Sequence, residues 1–108
     1  MSYTYNSENM NDDYGCDMRG MLSFQILWLL SRRSMHGKEI AEELEKRRGE
    51  KPKPGTLYPA LKDMHEKGLI IGEKRGKTVV YSLTGSGKRS VKLAREYFIR
   101  SFGDIIGA

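Results

Sequence analysis

Eight apolar side chains crowd into the ten residues Met21–Leu30: Met21, Leu22, Phe24, Ile26, Leu27, Trp28, Leu29 and Leu30. The run predicts a helix that is apolar nearly all round, and such a helix needs cover on more than one side. At 108 residues the chain has the size of one domain with at most a tail. A domain so small hardly buries that helix alone, which points to a second chain. The run is far short of the roughly 20 residues that span a bilayer, so no membrane partner is expected. The length also excludes a TIM barrel or a two-domain enzyme.

Charge divides the chain in two. All 19 Lys and Arg lie from Arg19 onward, while Glu8, Asp12, Asp13 and Asp17 precede it. Residues 1–17 therefore carry −4 and residues 18–108 carry +9. An acidic N-terminal arm (1–17), disordered or loosely docked, is expected before a basic domain whose partner is nucleic acid or an anionic surface. From the polar, acidic start no secretory signal is expected, and one cysteine, Cys16, makes no internal disulfide. A cytoplasmic, reducing compartment is expected.

Beyond the first helix, Ile40, Ala41 and Leu44 give a second helical stripe from Gly37 to about Arg48, ended by Gly49. Pro54 suits a first helical turn. Leu57, Ala60, Leu61 and Met64 then mark a third helix to about Lys67, and Pro59 is expected to replace an N–H that is unpaired in the first turns anyway. Leu69–Lys74 and Lys77–Thr84 flank Arg75-Gly76, and Val79, Tyr81 and Leu83 alternate as a β-hairpin requires. A last helix is expected from Ser86 to Phe102, with Val91, Ala94, Phe98, Phe102, Ile105 and Ile106 on one side. Val91, Phe98 and Ile105 recur every seven residues, which suits a partner helix.

Three helices and a hairpin, in that order, are a winged helix-turn-helix: an α+β fold, mostly α, here with a C-terminal dimerisation helix. The expected divisions are 1–17, 18–84 and 85–108. The second helix of the helix-turn-helix enters the major groove, and the hairpin touches flanking DNA. With the apolar stripe inward, Tyr58, Pro59, Lys62 and Glu66 point outward, and Thr56 stands at the helix start; Thr56, Tyr58, Pro59 and Lys62 are the residues expected to meet duplex DNA. Lys51 and Lys53 lead into that helix, and Lys74, Arg75 and Lys77 tip the hairpin, where phosphates would lie. The expected homodimer interface is Met21, Phe24 and Trp28 with Val91, Ala94, Phe98, Phe102 and Ile105. The reading is a DNA-binding regulator acting on a pseudo-palindromic operator. The alternative is a winged helix used as a protein-interaction or non-specific nucleic-acid scaffold.

No catalytic constellation is visible, and an enzyme is not expected. Thr84-Gly85-Ser86-Gly87-Lys88-Arg89-Ser90 fails as a P-loop: Ser82 stands where the first glycine belongs, and Arg89 where a magnesium-binding hydroxyl belongs. His36, His65 and one cysteine are too few for a zinc site. No metal or cofactor is expected.

Residues 18–84 resemble the PadR family of transcriptional regulators. The resemblance rests on Gly20–Leu30, on His36-Gly37-Lys38-Glu39-Ile40, on Tyr81-Ser82-Leu83-Thr84, and most specifically on Pro54-Gly55-Thr56-Leu57-Tyr58-Pro59-Ala60-Leu61. It implies a homodimeric winged-helix DNA-binding protein, usually a repressor, with its C-terminal helix in the dimer interface and Thr56 and Tyr58 at the DNA surface. His36 replaces the family's usual tyrosine. Multidrug-binding members stack planar ligands on a C-terminal-helix tryptophan, whereas Trp28 lies in the first helix and Tyr97 and Phe98 stand nearest that role. A small-molecule effector is thus allowed for but given no site.

Overall fold

The computed structural model describes residues 18–107. The expected acidic arm, Cys16 included, lies outside them. The elements run α1 (Met18–Arg32), β1 (Met35–His36), α2 (Gly37–Arg48), α3 (Pro54–Glu66), β2 (Ile70–Arg75), β3 (Thr78–Leu83) and α4 (Gly85–Gly107). The fold is mostly helical with a small antiparallel sheet in the order β1-β3-β2: a winged helix with a C-terminal helix.

Leu22, Ile26, Leu27, Leu29 and Leu30 of α1 are buried together with Met35, Ile40, Leu44, Leu57, Leu61, Met64 and Ile70. The domain thus covers one arc of the all-apolar helix by itself. On the opposite arc, Phe24 stacks on Phe98 of the same chain at 5.9 Å between ring centroids, which leaves Met21 exposed and Trp28 half-buried. Part of the cover expected from a second chain is supplied by α4.

Four local features depart from the expectations. β1 is a two-residue strand, too short for any periodicity to show, and pairs Met35 with Tyr81 and His36 with Val80. The wing turn is Gly76-Lys77, since Arg75 pairs with Thr78 and Gly76 takes φ 62°, a left-handed conformation that glycine adopts without strain. Pro59 is the sixth residue of α3, too deep for its missing N–H to be a helix-start orphan. It forgoes one bond, to the Gly55 carbonyl, and the remaining bonds and buried stripe carry the helix on to Glu66. Finally, α4 runs to Gly107, past Gly103, whose weak propensity costs only about 1 kcal/mol.

The glycines of Thr84–Ser90 have structural roles. The Thr84 hydroxyl donates to the Gly68 carbonyl at 2.6 Å and accepts from the Gly87 N–H at 3.0 Å. It caps α4 and ties it to the end of α3. Gly87 lies so close to the Leu69 carbonyl that a side chain there would overlap it.

Candidate nucleic-acid interface

The start of α3 carries no side-chain cap. Lys53 occupies the N-cap position with extended backbone, its carbonyl accepts from the Thr56 and Leu57 N–H groups at 2.9 Å, and Pro54 opens the helix. A helix start left open in this way presents positive partial charge to anions. Leu57, Leu61 and Met64 are buried beneath the helix, so Thr56, Tyr58, Pro59 and Lys62 are exposed on its outer side. Tyr58, Pro59 and Lys62, with Glu66, which is exposed too, are the residues that the helical period turns outward, and Thr56 stands at the helix start as expected.

Tyr58 is 47% exposed. Its ring lies against Gly37 at the start of α2, where a β-carbon would meet the ring edge and hydroxyl. α2 itself begins with a capping box made by a histidine: His36 Nδ1 accepts from the Glu39 N–H at 3.2 Å, and Glu39 Oε1 accepts from the His36 N–H at 3.0 Å. That backbone bond is the main reason the Glu39 carboxyl lies below its ordinary pKa; burial opposes it as the next largest effect, and nearby charge, Arg33 included, helps less. The role of His36 as cap was not visible in the sequence, because histidine is not among the usual N-cap residues.

Across from α3 stands the wing. Tyr58, Leu61, Lys62 and His65 of the helix face Gly72, Val79 and Tyr81 of β2 and β3 over a shallow hollow of about 270 Å³. Burial, and secondarily Tyr58, raises the pKa of the Tyr81 phenol on its floor. The hollow shows that the helix and the wing share one side of the molecule. Lys74, Arg75 and Lys77 are exposed at the wing tip, as are Lys51 and Lys53 ahead of α3. Two of these cations are partly neutralised within the chain: Arg75 pairs with Glu73 at 3.0 Å, and Lys51 approaches Glu45 at 3.9 Å. Sequence counting treats all five as equal, since it does not show which carboxylate each meets.

The expected dimer residues divide. Val91, Ala94 and Phe98 are half-buried within the chain, and Phe98 also packs on Phe102 at 5.1 Å. Leu93 (65%), Tyr97 (60%) and Ile105 (74%) are left exposed with Ile99 and Ile106. Of these, the periodic stripe had singled out only Ile105 and Ile106. The guanidinium groups of Arg32 and Arg47 lie over the Trp28 ring, 5.2 and 5.1 Å from its centroid, within cation–π range. No cluster able to hold a metal and no helix long and apolar enough to cross a membrane occurs among the described residues.

Comparison with known proteins agrees with this fold. The model of the transcriptional regulator PadR-like family matches residues 26–93. The transcriptional regulator Rv3488 of Mycobacterium tuberculosis (strain ATCC 25618 / H37Rv) is 29% identical over 93 residues, which cover 82% of this chain and 86% of that protein. Among solved structures, a transcriptional regulator from Clostridium thermocellum superposes with TM-score 0.73 at 25% identity, over 82% of this chain and 89% of its own. RosR of H. salinarum does so with TM-score 0.69 at 29% identity, over 87% and 81%. A PadR family transcription regulator from Clostridium difficile R20291 matches with TM-score 0.69 at 28% identity, over 82% and 96%. The chain belongs to the PadR-like family of transcriptional regulators.

Proposed function

We propose that the protein is a repressor that binds a pseudo-palindromic duplex as a homodimer. α3 would lie in the major groove and the β2–β3 wing on flanking phosphates. The observation that supports this reading is the hollow between α3 and the wing, where Tyr58 and Lys62 of the helix face Gly72, Val79 and Tyr81 of the strands, together with the uncapped start of α3 and the exposure of Thr56, Pro59, Lys74, Arg75 and Lys77. Thr56 and Tyr58 hydroxyls suit phosphate or base edges, and the Pro59 ring suits a thymine methyl. Lys62 is the outward side chain of α3 able to donate to guanine O6 and N7. Without arginine or asparagine on this face, direct readout is modest, and DNA shape with half-site spacing of roughly one helical turn supplies the rest. The homodimer is supported by the apolar side chains that α4 leaves exposed, since an apolar patch on a soluble regulator marks an interface.

The test is selection of a preferred duplex from a random pool. A preference of roughly 1,000-fold or more over random duplex at fixed salt is expected. Equal affinity for both would leave a non-specific scaffold. Sedimentation tests the dimer, with Tyr97→Asp rather than a Phe98 variant as the probe, because Phe98 also supports its own chain through Phe24.

A further inference from the structure

The hollow beside Trp28 has a volume of about 300 Å³, and buried Leu29 and Met35 contribute to its wall. Arg32, Arg33 and Arg47 surround it with one carboxylate, Glu43. Glu43 is committed to Arg47 at 3.0 Å, and Arg33 pairs with Glu39 at 3.4 Å. Arg32 forms no ion pair among the described residues, and its guanidinium stays over the Trp28 ring. A cation with no ion pair among the described residues, next to a half-exposed indole, suits a carboxylate on an apolar partner.

The same chain carries a matching surface. Met21, Trp28 and Arg32 share one edge of α1, because steps of seven and four residues return nearly to the same helix face. Leu93, Tyr97 and Asp104 share one edge of α4 by steps of four and seven, and the two apolar members of that edge are exposed. Each edge is two large apolar side chains ending in one charge, opposite in sign, and each spans eleven residues, roughly 16 Å of helix. Both acids of α4, Glu96 and Asp104, lie one turn from Arg100, and of the two Asp104 is the one that falls at the end of the apolar edge.

We infer that the two edges dock on each other across the two-fold axis, the partner's Asp104 pairing with Arg32 beside Trp28. This rests on the homodimer proposed above and adds its register. Laid side by side in one direction, the edges put Met21 beside the partner's Leu93, Trp28 within a turn of the partner's Tyr97, and Arg32 beside the partner's Asp104. A two-fold dimer makes each contact twice, so every substitution counts double. Because Trp28 is the single tryptophan, its emission reports the contact.

The experiment measures the dimer constant by sedimentation, and Trp28 emission on dilution, for the full chain and for Asp104→Arg, Arg32→Asp and the double variant. Each single reversal is expected to weaken the dimer about tenfold and the double variant to regain most of that loss, as in other double-mutant cycles. Emission should red-shift as dimers dissociate. Circular dichroism confirms that the variants fold, and both sites are exposed. A wild-type dimer whose constant and emission ignore both reversals overturns this register and leaves the dimer standing. So does saturable quenching of Trp28 by benzoate in an intact dimer, which gives the hollow to a small anion. A wild-type chain that stays monomeric at micromolar concentration overturns the dimer and the register together.

Discussion

The Tyr58 ring rests on the bare α-carbon of Gly37, so the first residue of α2 fixes where a side chain of α3 can point. Gly37→Ala puts a methyl into the ring edge. Because Tyr58 is exposed, its ring can swing outward. The cost in stability is therefore small, and helix propensity favours alanine by up to about 1 kcal/mol. The melting temperature should stay near wild type while affinity for the preferred duplex falls roughly fivefold, the worth of one hydrogen bond of about 1 kcal/mol. Unchanged affinity would detach Tyr58 from the DNA surface.

Gly87 faces a harder obstacle. What a β-carbon there meets is the Leu69 carbonyl, which is backbone and cannot swing away. Gly87→Ala should lower stability by about 1–3 kcal/mol, the range for overpacking. Gly85→Ala is the control, since a β-carbon there meets only the Arg89 side chain at 3.7 Å. Thr84→Ala, which removes the α4 cap, should cost about 1 kcal/mol, and Thr84→Ser much less. Urea unfolding of the four variants decides it: equal losses at Gly85 and Gly87 would refute the close approach.

Much of this architecture could be read directly. The 3.6-residue period of Leu57, Leu61 and Met64 and the alternation of Val79, Tyr81 and Leu83 report burial on one face, so helices, wing and the outward residues of α3 followed from spacing. Contacts set by tertiary partners were not legible. The β1 strand exists because Met35 and His36 meet β3, and two residues show no period. The α4 stripe was visible, but not that Val91 and Phe98 turn to their own chain, which leaves Leu93 and Tyr97 exposed. Likewise the basic run at the wing tip was plain, whereas the Glu73 carboxylate on Arg75 depends on strand geometry.

The α2 cap gives the protein an acid-sensitive element. Glu39 has a folded pKa below its ordinary 4.5. Its ionised form is thus favoured by folding, and the contribution is present above about pH 4.5 and lost as the pH falls through the lowered value. Glu39→Gln keeps the size but loses this dependence. Between about pH 6 and about pH 3, wild-type stability should fall more steeply than that of Glu39→Gln. Parallel curves from urea melts would remove Glu39 from the acid response.

At the wing, Glu73 holds Arg75 at 3.0 Å, so Arg75 reaches phosphate only by giving up that partner. Lys74→Ala and Lys77→Ala should each lower the log–log salt slope of DNA binding by about 0.9, the value for one phosphate contact. Glu73→Gln should raise affinity for specific and random duplex alike, by freeing Arg75 and removing a negative charge. Titrations at several salt concentrations distinguish the cases. A triple Lys74, Arg75, Lys77 alanine variant with unaltered slope would take the wing off the DNA.

Sequence reading itself turns on Lys62. It is exposed on the outer side of α3, one turn beyond Tyr58, above the hollow shared with the wing, and it forms no ion pair among the described residues. A lysine donating to guanine O6 and N7 discriminates by about 1–3 kcal/mol, while one on phosphate discriminates hardly at all. Lys62→Ala should therefore cost about 1–3 kcal/mol on the preferred duplex and less on random duplex, and should relax selection at one base pair in each half-site. Because its neighbours Leu61 and Met64 carry the burial, the substitution should leave the circular dichroism spectrum unchanged. Equal losses on both duplexes would move Lys62 to the phosphate class. No loss on either, with the fold intact, would take this part of α3 out of the groove.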